Sequence, residues 1–177
     1  TGTVRLHHIT MAEFLTSADE DRNLDDWHVE ADETHLAVAQ RLLTEHGDSW
    51  ATCDDAYALN NAASHLVASI RTAASARTRR QAEQLLTDLL AAPSFGLAKS
   101  HRVGVDDMLG DYVAAYVALS GSPELEEGLT AVLARLINEG RTDLASSLHA
   151  MLQHRHDVAD LNAAVLRRLS DSAYLEH

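Results

Sequence analysis

Residues 105–136, VDDMLGDYVAAYVALSGSPELEEGLTAVLARL, decide the fold. Val105, Met108, Leu109, Tyr112, Val113 and Tyr116 recur at i, i+3, i+4, i+7, i+8 and i+11, which is one face of an α-helix. Ser122-Pro123 then pairs a capping residue with proline at a first helical position, where a missing N–H costs nothing. Leu125, Leu129, Val132, Leu133 and Leu136 lay down a second stripe, and Gly140 supplies its stop. Each stripe is too narrow for a helix buried on all sides. Two such helices joined by a short link predict antiparallel packing.

The same pattern extends in both directions. A helix is expected from Glu33 to His46, with Leu36, Ala39 and Leu43 on one face and Gly47 as its stop. An Ala-rich helix is expected from Asp54 to Ala73. Thr78 and Gln81 have capping-box spacing and open a helix carrying Leu85, Leu86, Leu89 and Leu90, which Pro93 closes. Downstream, helices read from Thr142 to Gln153 and from Asp157 to Leu169. Upstream, Thr10 and Glu13 cap a short helix over Met11–Ser17, after a possible strand end at residues 3–6. The expected fold is all-α, an irregular superhelical array of seven to nine helices in antiparallel pairs, ARM- or HEAT-like but without a strict period. The expected division is 1–17, the end of a winged-helix-like segment; 18–33, an acidic loop; 34–170, the helical domain; and 175–177, a tag remnant. The abrupt start at Thr1 and that ending suggest a piece of a longer protein.

Composition narrows the function classes. The formal net charge is −13, which repels phosphate backbones and anionic membranes. Nucleic acid and membrane are therefore not expected partners, and no apolar run approaches the ~20 residues of a span. Cys53 is the single cysteine, so no internal disulfide forms and a reducing, cytoplasmic setting is expected. Residues 19–33 hold eight acids and one arginine. They lack the alternating ligands and central glycine of a calcium loop and read as solvated chain.

Catalytic motifs are missing from the chain. Gly104 and Gly110 are not followed by the Lys-Ser/Thr of a phosphate loop, and no GxSxG, HExxH or CxxC occurs. No catalytic residue, metal ligand or cofactor is assigned. His154 and His156 stand at i and i+2, which do not share a helix face; in a loop they could chelate a metal, but surface histidines between two helices are the simpler reading. Cys53 with His46 or His65 as base is a conceivable nucleophile pair, but a small buried thiol is the simpler reading. Asp54, Asp55 and Glu83 are conceivable acid–base groups; Asp54-Asp55 more simply faces the positive end of a helix. His7-His8 is either a polar pair between strand and helix or a phosphate contact, and spacing does not choose between them.

From Val4 onward the chain resembles the segment after the nucleotide-binding core of STAND NTPases, the NB-ARC and NACHT class that includes apoptotic protease-activating factor and bacterial relatives. Leu6-His7-His8-Ile9, leading to Phe14-Leu15, resembles the end of the winged helix. His35-Leu36-Ala37 and Leu42-Leu43 follow, then Trp50, Asp54-Asp55, Tyr57 and His65-Leu66, similar to the family's W…DD-x-Y…HL run. Leu85-Leu86, Leu89-Leu90, Phe95, Leu97 and Lys99 resemble the next helix pair. His8 stands where the family usually has aspartate, and Asn61-Ala62 replaces a common His-Leu pair.

The resemblance implies a non-catalytic regulatory arm linking an NTPase core to a C-terminal sensor, for signal transduction. Its partners would be those neighbouring domains of the same chain, or other proteins. It implies that His7 contacts the β-phosphate of ADP in the parent protein, where ADP or ATP is the cofactor. Two alternatives stay open. One is a freestanding helical interaction scaffold. The other is a small-molecule sensor with an inter-helix pocket lined by Tyr112, Tyr116 or Trp50.

Overall fold

A computed structural model describes residues 31–47, 49–141 and 159–175. Among them there are seven α-helices and no strand: α1 Ala31–His46, α2 Ala56–Thr72, α3 Ala76–Ala91, α4 Pro93–Arg102, α5 Val105–Ala118, α6 Pro123–Asn138 and α7 Ala159–Leu175. A single 3-10 turn, Trp50–Thr52, stands between α1 and α2. The expected all-α array is borne out. The expected elements at residues 3–6, 11–17 and 142–153, and the acidic stretch before residue 31, lie outside the described residues.

Local chemistry sets the helix ends. Asp55 caps α2, its Oδ1 accepting from the amides of Tyr57 at 2.8 Å and Ala58 at 3.2 Å. Ser122 caps α6 by accepting from the Leu125 amide, with Pro123 at the first helical position as its sequence predicts. Gly140 ends α6 at φ 71, a conformation that costs a Cβ-bearing residue.

Two end assignments need correction. Thr78 does not start α3; Ser75 does, accepting from the Thr78 amide at 3.0 Å, and Thr78 sits inside the first turn. Ser75 offers its hydroxyl to the amide three residues on, so the cap moves upstream. Pro93 does not merely close α3; it opens α4 at once, leaving Ala92 as the only link. A proline cannot continue one helix, yet its fixed φ suits the first turn of the next. α1 begins at Ala31, two residues ahead of the expected Glu33, and α7 runs on to Leu175.

Packing follows the stripes. α2 lies against α1 and α3; α5 packs on α2, α6 on α3, and α7 on α6. Helix α4 touches α2, α3, α5, α6 and the 3-10 turn, so the shortest helix is the hub. Val105, Met108, Leu109, Tyr112 and Val113 are buried, as are Leu125, Leu129, Val132, Leu133 and Leu136. One hydrophobic cluster runs from Leu36 on α1 to Val165 on α7. Gly128 lets α6 approach the end of α3, where a Cβ would overlap Leu90 O and the Ala91 Cα.

Candidate functional site

The most unusual chemistry in the core is an ion pair that joins α4 to α5. Lys99, the chain's single lysine, is 2% exposed, and its Nζ donates to Asp111 Oδ2 at 2.5 Å. Both residues occupy helix faces that are otherwise apolar: Lys99 is four residues after Phe95, and Asp111 three after Met108. Burial pushes the Asp111 carboxyl up to about 6, against the lowering effect of Lys99, while Asp107 adds a smaller upward push. Desolvation therefore outweighs the attraction of the lysine. Beside the pair, Tyr112 donates its hydroxyl to Leu90 O at 2.8 Å. That carbonyl belongs to the last turn of α3 and has no partner within its own helix, so α5 caps α3 from the side. Burial, then the neighbouring Asp111, drives the Tyr112 hydroxyl far above its ordinary pKa and keeps it a neutral donor.

Asp111 is also reached from the other side. A cavity of about 350 Å³ opens between α2 and α5. Ala63, Val67 and Ala68 of α2 and Ala114 of α5 form its apolar walls, and Ser64, Arg71, Thr72 and Asp111 supply its polar groups. Thr72 donates its hydroxyl to Ala68 O at 2.9 Å. Arg71 is exposed, and its guanidinium has no ion-pair partner among the described residues. None of Tyr112, Tyr116 and Trp50 lines this cavity. Trp50 is buried edge-on against Phe95, with ring centroids 4.9 Å apart. Tyr116 directs its hydroxyl to Glu126 at 3.5 Å.

A second polar cluster ties α1 to α2. His35 Nδ1 and His65 Nδ1 are 2.8 Å apart, and Tyr57 Oη is 2.9 Å from His65 Nε2. Each bond needs one proton, so neutral rings can run the chain of bonds in either direction. Desolvation lowers the His35 pKa and favours this neutral state. A second proton between the facing Nδ1 atoms would set two N–H groups against each other.

The remaining candidates resolve into structure. Cys53 is a buried thiol, 4% exposed, whose Sγ–H donates weakly to Asp55 O at 4.0 Å. His65 is engaged with Tyr57 and His35, and His46 lies tilted against Trp50, with Nε2 3.5 Å from Asp55 Oδ2. Asp55 is a helix cap, Asp54 is exposed, and Glu83 pairs with Arg79 one turn away. His7, His8, His154 and His156 lie outside the described residues. Among the described residues no group of three or more His, Cys, Asp or Glu is placed to hold a metal. Among them, too, no helix is long and apolar enough to cross a membrane.

Sequence reasoning passed over the Lys99–Asp111 pair. The signal was present: two opposite charges, each in register with a buried stripe. The chain matches no family model, no curated protein and no solved structure.

Proposed function

We propose that this chain is a regulatory helical arm of a signal-transducing NTPase of the STAND class. In this reading it performs no chemistry itself and couples an upstream nucleotide-binding core to a downstream sensor. The observation that carries it is how the residues of the resemblance sit together. Trp50 packs on Phe95, Asp55 caps the helix that begins with Tyr57, Tyr57 meets His65, and His65 meets His35. Residues scattered from 35 to 95 in sequence thus form one connected joint around α1, α2 and α4. A run of residues that mutually define a joint is what a shared architecture would require.

The mechanics follow from the core. One cluster links α1 to α7, and α4 bears on both sides of it. Close-packed interiors deform little, so a displacement imposed at one end moves the other as a body. Such an arm acts by favouring one of two arrangements of the parent protein. His7 would add an imidazole donor to the phosphate site of ADP, most of which the upstream core would supply.

The test is ADP retention by the full-length protein. Its gene should encode a phosphate loop before Thr1, and the purified protein should carry ADP. His7→Ala should release ADP faster and raise basal activity, while the present chain alone should not bind ADP. An upstream region without a phosphate loop, or measurable ADP binding by the isolated chain, refutes the reading.

A further inference from the structure

We infer that the cavity between α2 and α5 is a binding site for a small aliphatic carboxylate. The inference does not depend on the arm reading and involves none of its nucleotide chemistry. It begins with charge. Asp111 is held from behind by Lys99, which leaves the Arg71 guanidinium as the charge of the lining with no ion-pair partner among the described residues. A guanidinium matches a carboxylate with two parallel N–H···O bonds. Lys99 behind the floor repels a cationic ligand, so Asp111 does not turn the site into an amine pocket.

The walls select the rest of the ligand. Ala63, Val67, Ala68 and Ala114 leave a slot walled by small side chains. A volume of about 350 Å³ is at the low end of ligand pockets and admits a chain of a few carbons. Arg71 and Thr72 close the last turn of α2, where the helix dipole is negative. A second negative charge would meet that field with no second cation to hold it. A monocarboxylate therefore fits better than a phosphate. Its head would lie at Arg71 and its chain would run along the α2 wall toward Ser64.

Calorimetric titration of this chain with acetate, butyrate and hexanoate tests the proposal, with 1-hexanol as the neutral control. Affinity should rise by at least about tenfold from acetate to hexanoate, because buried methylenes add to binding. Arg71→Gln should weaken hexanoate by at least about tenfold, and 1-hexanol should bind weaker than hexanoate by a similar factor. Arg71 is exposed, so its variant should melt like the parent. Ala114→Leu fills the slot without changing charge and should abolish binding; its melting curve checks that it folds. The proposal is overturned if no acid binds, if Arg71→Gln binds hexanoate as the parent does, if 1-hexanol binds equally, or if a folded Ala114→Leu variant still binds.

Discussion

Replacing Lys99 by methionine should destabilise the chain more near neutral pH than in mild acid. Methionine keeps the length and apolar stem of lysine, so the buried volume changes little. The loss is electrostatic. Asp111 is buried, its side chain 11% exposed, and without Lys99 it has no ion-pair partner among the described residues. Breaking one side of a buried pair costs about 3–5 kcal/mol when the orphaned group stays charged.

The pH dependence has a definite sign. The folded carboxyl sits at about 6, above its ordinary value of 3.8. A carboxyl raised on folding favours the folded state while it is protonated, and that contribution is lost as pH rises through the folded value. In the parent this loss runs over the window from 3.8 to about 6. Removing Lys99 takes away a lowering influence and moves the upper limit higher still. Protonation of the orphaned carboxyl caps that cost, so the variant's deficit should be larger at about pH 7 than at about pH 5 by up to about 1.4 kcal/mol, the span over which the parent's Asp111 gives up its proton and the variant's keeps it. Urea denaturation followed by circular dichroism at the two pH values measures it. The double variant Lys99→Met, Asp111→Leu should recover most of the loss, because two apolar residues replace the pair. A deficit that is equal at both pH values, or a double variant no more stable than the single one, would refute the reasoning.

Other perturbations bear on the rest of the fold. Leu133→Ala and Leu109→Ala, both at buried stripe positions, should each cost about 2–5 kcal/mol, and unchanged melting would show that the stripes are misplaced. Gly128→Ala should lower the melting temperature sharply, since the added methyl meets the backbone of Leu90 and Ala91 rather than a yielding side chain. Ser75→Ala should cost about 1 kcal/mol and more than Thr78→Ala, because Ser75 accepts from the Thr78 amide at the start of α3. The reverse order, in thermal melts of the two variants, would put the cap back at Thr78.

The helices were legible in sequence because their signals are local. A stripe at i, i+3, i+4 and i+7 needs only the helix's own geometry, and it marked α5 and α6 almost residue for residue. A Ser-Pro pair likewise announces its own helix start. Ends depend on finer competition, which is why Ser75 rather than Thr78 caps α3 and why Pro93 opens a helix as well as ending one. Side chains on facing helices were a different matter. Lys99 and Asp111 each look like a misplaced charge in their own helix; only the crossing of α4 and α5 makes them a pair. Tyr112 reads as an apolar stripe member until Leu90 O is found above its hydroxyl.

The sequence by itself therefore determined the helical class, most of the core and the absence of any familiar catalytic motif, all of which follow from periodicity and composition. Tertiary structure alone decided which charges meet, that His35, His65 and Tyr57 join two helices, and that Arg71 and Asp111 line one cavity. The reason is range. Helix formation is settled within about a turn of chain, whereas a buried charge depends on partners that packing brings from elsewhere.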